Sequence, residues 1–95
     1  MADKARTHIL IEGRVQGVLF REKCRKKAGK LGVLGWVKNL EDGRVEAVFE
    51  GDKEKVEKLV KWAERGPFFA RVDSISTEWE NYKGEFKDFE IRYDI

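Results

Sequence analysis

Cysteine, histidine and proline each occur once in this chain of 95 residues, as Cys24, His8 and Pro67. A single cysteine excludes an internal disulfide and any zinc site built on several thiolates. A lone histidine within a strand offers no metal site of its own. No apolar run approaches the ~20 residues that a membrane-spanning helix needs. The polar start, Met1–Thr7, lacks the apolar stretch of a signal peptide. A soluble cytoplasmic protein with no membrane partner is therefore expected. Excess charge of one sign is also missing, with 20 basic residues against 18 acidic ones and a net charge of +2. That bias is too small to argue for a nucleic-acid partner. The densest basic run, Lys23 to Lys30, is broken by Cys24, Ala28 and Gly29 and reads as a solvated helix face. Repeats, low-complexity stretches and an interdomain linker are all absent.

What is present is the length of one domain, read as a single unit over residues 1–95. A domain of this size buries roughly 60–65% of the surface its unfolded chain exposes, so it folds alone with little margin. Charged residues make up 40% of the chain, nearly as much as the 41% that is hydrophobic. Interspersed charge of both signs is the pattern of surface ion-pair networks, which contribute most at high temperature. A thermostable protein from a heat-adapted source fits that composition.

Thr7 to Glu12 alternates and is β-branched, which predicts a strand with Ile9 and Ile11 toward the core. A loop, Gly13 to Leu19, follows. Phe20, Cys24, Ala28 and Leu31 then recur at helical spacing and end at Gly32, a suitable C-terminal cap. Leu34 to Leu40 predicts a second strand, and the Asp42-Gly43 pair a hairpin into a third, Val45 to Glu50. Asp52 is the expected N-cap of a second helix carrying Val56, Leu59, Val60 and Ala63 on one face. Gly66-Pro67 ends it, because proline cannot continue a helix. Val72 to Trp79 predicts a fourth strand, and Asp88 to Tyr93 a short fifth with Phe89, Ile91 and Tyr93 on one face. Cys24 and the three tryptophans, Trp36, Trp62 and Trp79, read as packing groups. Phe68-Phe69 reads as a partly exposed loop.

The order β-α-β-β-α-β with a short extra C-terminal strand predicts an α+β fold, the ferredoxin-like split βαβ sandwich. Its sheet is mainly antiparallel, with two helices on one face. A right-handed crossover makes the first two strands parallel, so their C-terminal ends share one edge of the sheet. Asn39 and the Gly13–Arg21 loop then lie about two strand spacings apart, ~10 Å.

That loop joins a strand to a helix whose first N–H groups have no Ser, Thr, Asp or Asn cap before them. Uncapped amides beside a glycine-containing loop form a ready anion site. Arg21, in the first turn, opposes the helix dipole unless an anion is bound there. An ordinary strand-to-helix turn with a solvated Arg is the other reading of the same residues. Asn39 is equally open, as a turn residue or as a catalytic one. The loop is neither a Walker A loop nor a dinucleotide fingerprint, so no nucleotide follows from it.

Taken together, Gly13-Arg14-Val15-Gln16-Gly17-Val18, then Phe20-Arg21, and Gly35-Trp36-Val37-Lys38-Asn39 resemble the paired signature of the acylphosphatase family. Gly66-Pro67, Ala70-Arg71-Val72-Asp73 and Phe89-Glu90-Ile91-Arg92-Tyr93 sit where that family has similar stretches, and Leu19 occupies the loop's variable position. The resemblance runs from about His8 to Tyr93. It implies that Arg21 and the backbone amides of Gln16, Gly17, Val18, Leu19 and Phe20 bind the substrate phosphate. It implies that Asn39 positions the attacking water. The implied reaction is hydrolysis of an acyl phosphate to a carboxylate and inorganic phosphate, with no metal or cofactor. A monomer acting on this small-molecule substrate is expected. Whether Arg92 and Tyr93 support the site is not decided by the sequence.

Two alternatives remain. Ferredoxin-like folds also host RNA binders, but these need aromatic residues on the open sheet face. The third strand offers Arg44, Glu46, Val48 and Glu50 there, an acidic surface. Similar domains also occur within larger proteins that handle carbamoyl phosphate, although the chain's length favours a stand-alone enzyme.

Overall fold

The structure is a computed structural model that describes residues 3–93. Seven elements follow in the order β1 (Lys4–Arg14), α1 (Phe20–Leu31), β2 (Leu34–Asn39), β3 (Val45–Asp52), α2 (Lys53–Arg65), β4 (Arg71–Glu80) and β5 (Phe89–Arg92). The sheet order is β4-β1-β3-β2-β5. Every pairing is antiparallel except β2 with β5. This is the ferredoxin-like arrangement expected from the sequence, with a short extra strand at one edge.

Alternation along the strands decides which face is buried. Ile9 and Ile11 of β1, Val37 of β2 and Val45, Ala47 and Phe49 of β3 are fully buried. They pack with Cys24 and Ala28 of α1 and with Val56, Leu59 and Ala63 of α2 in one core. Burial also pushes the Cys24 thiol pKa up, so it stays protonated. The helical spacings read from the sequence therefore mark the core-facing stripes of both helices. Gly32 closes α1 in the left-handed conformation, with the Val33 amide donating to the Ala28 carbonyl.

Four local readings need correction. β1 begins at Lys4 rather than Thr7, because cross-strand partners neutralise its charged residues: Lys4 meets Asp52, and Arg6 meets Glu50 and Glu80. Met1 and Ala2 lie outside the described residues. Asp52 occupies the N-cap position of α2, but its side chain makes no capping bond. Its carboxylate instead accepts from Lys4 Nζ at 2.7 Å, and the Lys53 amide donates to the Asp3 carbonyl. Tyr93 lies beyond β5 and is exposed, whereas Phe89 and Ile91 pack on the core. Of the tryptophans, only Trp62 packs against the core, with its ring 5.3 Å from that of Phe20. Trp79 is exposed. Trp36, on the helix-free face beside Val48, has the cations of Lys38 and Arg92 over its ring.

The helix-free face carries an ion-pair network centred on Arg6, which is 7% exposed. Its guanidinium reaches Glu50 at 3.1 Å, Glu80 at 3.0 Å and Glu85 at 2.7 Å. Glu50, 2% exposed, also accepts from the backbone amides of Lys83, Gly84 and Glu85. The carboxylate thereby pins the segment between β4 and β5. Burial alone raises a carboxyl pKa, but the amides of Lys83 and Gly84 together with Arg6 outweigh it and hold Glu50 below the usual range. A depressed folded-state pKa gives stability that is present above the unfolded value and lost as pH falls through the folded one. Glu50→Gln is expected to lower Tm at pH 7 by roughly 5–10 °C. The loss should begin to shrink as the pH falls below the ordinary glutamate value of about 4.3 and vanish once the folded-state carboxylate is protonated at a still lower pH. Thermal unfolding of both proteins between neutral pH and pH 3 checks this.

Candidate active site

β1 and β2 both run antiparallel to β3, which lies between them, so the two are parallel and end at the same edge of the sheet. The loop after β1 and the residue that ends β2, Asn39, therefore meet. A cavity of about 180 Å³ opens there, lined by Gly17, Leu19, Phe20, Arg21 and Asn39 among others. Larger concavities lie elsewhere; in the one beside the β1 and β4 strand ends, Arg44 is paired with Asp42 and Arg71 with Asp73.

A glycine shapes the approach to the loop. The β1–β4 register shifts between Glu12 and Gly13, where Gly13 has φ 133°. A Cβ at that position would lie 2.1 Å from the Arg71 carbonyl oxygen, so only glycine lets β4 run this close as β1 turns into the loop.

α1 has no side-chain cap. Its N-cap residue, Leu19, adopts φ 65° and ψ 24°, a left-handed conformation that costs a residue with a Cβ roughly 1–2 kcal/mol. Among the described residues, no protein group accepts from the amides of residues 16–21. The first intrahelical bond runs from the Lys23 amide to the Leu19 carbonyl. The first turn carries Glu22, which favours the helix dipole, as well as Arg21, which opposes it.

No carboxylate among the described residues lies within ion-pair distance of Arg21; the contact it makes is with the Tyr93 ring, 5.0 Å from the guanidinium carbon. Asn39 Oδ1 is buried and without a hydrogen-bond partner among the described residues. A buried acceptor left unpaired costs about 1–3 kcal/mol.

Gln16 contributes something its sequence position does not signal. Its side-chain Nε2 donates to the carbonyls of Leu40 and Arg44, at 2.8 and 2.9 Å. Those two residues close the β2–β3 turn, where the Leu40 amide donates to the Arg44 carbonyl. The loop is thus fastened to the turn that carries Asn39. The Tyr93 contact is equally hidden in the sequence, since only the β5 register brings this end of the chain onto α1. Arg92 reaches Trp36 and Glu90 instead.

Residues that the sequence offers for packing or for no evident role have structural partners. His8 Nε2 lies 2.6 Å from Glu46. His8 also clusters with Glu78 and Glu80, although Glu80 is held by Arg6. Phe68 and Phe69 are both exposed and pack edge to face on one another.

Known proteins share this architecture. The acylphosphatase family pattern matches residues 7–91. An acylphosphatase of Roseiflexus sp. is 54% identical over 91 residues, which is 96% of this chain and 98% of that protein. One from Pelotomaculum thermopropionicum is 51% identical over 90 residues, covering 95% and 98%. The solved structure of an acylphosphatase from Coxiella burnetii superposes with a TM-score of 0.89 at 39% identity, over 95% of this chain and 94% of that one. With the match spanning nearly every described residue and both strand ends that build the cavity, this chain belongs to the acylphosphatase family.

Proposed function

We propose that the chain hydrolyses acyl phosphates to a carboxylate and inorganic phosphate, as a single catalytic domain over residues 1–95. The amides of residues 16–20 and the Arg21 guanidinium hold the phosphate, and Asn39 orients the water. One observation carries this reading: amides, an arginine and an amide oxygen that have, among the described residues, no acceptor, carboxylate or donor partner all border one cavity.

Each group suits its task. The phosphoryl group is multiply charged, and the start of α1 offers it N–H donors in a dipole-favoured position. Arg21 adds a planar fork of donors matched to phosphate oxygens. Asn39 Oδ1 can only accept, so it takes a hydrogen bond from the water and leaves the water's lone pair free to attack phosphorus. As the new P–O bond forms, the bond from phosphorus to the acyl oxygen breaks and its electron pair leaves on the carboxylate. The water's proton passes to a phosphate oxygen, so no protein base is required. A carboxylate leaving group has a conjugate-acid pKa of about 4 and departs without a general acid. What remains for the protein is positioning and charge stabilisation, the main parts of phosphoryl-transfer catalysis.

The reaction proposed is metal-independent and carried out by a monomer, with no nucleic-acid partner. No helix among the described residues is long and apolar enough to cross a membrane, and we place the enzyme in the cytoplasm. The acidic third strand supports the absence of nucleic acid, since Glu46 and Glu50 occupy the face where RNA would lie and are bonded to His8 and Arg6. Phosphate release from acetyl phosphate, measured with and without a strong chelator, tests the function. The expected result is turnover at an unchanged rate in chelator. Loss of turnover on chelation, restored by a divalent cation, would refute the metal-independent mechanism.

A further inference from the structure

We propose that the cavity mouth selects acyl phosphates with an apolar, uncharged acyl group, and that Leu19 is the side chain that reads it. This rests on the phosphate-cradle reading above and names the substrate class that the cradle accepts. A cavity of about 180 Å³ is well below the roughly 300–1,000 Å³ of pockets that enclose a whole ligand. With the phosphate held at the start of α1, a longer acyl group must run outward past the rim.

Of the cavity walls, Val15 and Phe20 are buried and Gly17 has no side chain to offer, so Leu19 and Glu22 form the exposed rim. Leu19 is 54% exposed, so packing within the protein does not account for a leucine there. Its backbone does not either, because φ 65° favours glycine or asparagine. A large apolar side chain held strained and wet beside a substrate site is accounted for by contact with the substrate. Glu22, three residues on in the first turn, has no ion-pair partner among the described residues. Its negative charge disfavours an acyl chain that ends in a second anion.

Hexanoyl, acetyl and glutaryl phosphate test this, because their carboxylate leaving groups are of near-equal basicity and differ in what passes the rim. The wild type should show kcat/KM for hexanoyl phosphate roughly ten-fold above acetyl phosphate, and glutaryl phosphate below hexanoyl. Leu19→Asn, which keeps the left-handed conformation and a similar size, should bring the hexanoyl-to-acetyl ratio close to one. Leu19→Gly should do the same. Glu22→Gln should raise glutaryl turnover about five-fold relative to acetyl. These ratios compare substrates on one protein, so a general loss of stability or of phosphate affinity cancels. An unchanged hexanoyl-to-acetyl ratio in both Leu19 variants would overturn the inference while leaving the catalytic reading intact. Failure of the wild type to turn over acetyl phosphate at all would instead overturn the catalytic reading, and this inference with it.

Discussion

Arg21→Ala is expected to lower kcat for acetyl phosphate by on the order of 10³-fold or more, the scale on which other transition-state arginines act. The guanidinium has no carboxylate partner among the described residues and rests on the exposed ring of Tyr93. Its removal therefore breaks no buried ion pair, and Tm should move little. Arg21 also opposes the α1 dipole when no anion is bound, so the free variant can gain slightly in stability while losing its activity. Arg21→Lys should recover only a small part of the rate, since an ammonium is a point charge without the planar fork. Phosphate-release assays beside thermal unfolding check both halves. Near-normal turnover in Arg21→Ala would remove the arginine from the reaction.

Asn39→Ala separates water positioning from phosphate binding. Deleting one well-placed polar group in an active site typically costs about 10²–10³-fold in kcat, and that loss is expected here. Inhibition by inorganic phosphate should stay within about two-fold of wild type, because the amides and Arg21 are untouched. The variant should also be no less stable, as it removes a buried oxygen that lacks a hydrogen-bond partner among the described residues. Lost activity without lost stability is the signature of a group kept for the reaction. Parallel loss of kcat and phosphate affinity would show instead that Asn39 shapes the cradle.

Much of the fold and of the candidate site is legible in the amino-acid sequence, for specific physical reasons. Period-two alternation in β1 and β3 and the 3–4 spacing in α1 and α2 report which face is buried, so Ile9, Ile11, Val56 and Leu59 read as core. The right-handed crossover alone places Asn39 near the loop. Less legible are features that depend on partners distant in sequence. Lys4 and Arg6 look like a charged tail until Asp52, Glu50 and Glu80 are set opposite them. Asp52 has the right chemistry for a cap, yet Lys4 outcompetes the helix amides for its carboxylate. Trp36 looks like core, but strand parity turns it to the open face, where cations cover it. No local pattern announces that the Gln16 amide will find two carbonyls of a hairpin more than twenty residues away.

That last contact bears on how the enzyme moves. Because the Gln16 side chain ties the loop to the β2–β3 turn, the proposed anion cradle and Asn39 are coupled through two hydrogen bonds. Their relative geometry is settled when the chain folds and need not be assembled by the arriving ligand. Little reorganisation should then accompany each turnover, in contrast to the lid closures that gate many phosphoryl-transfer enzymes.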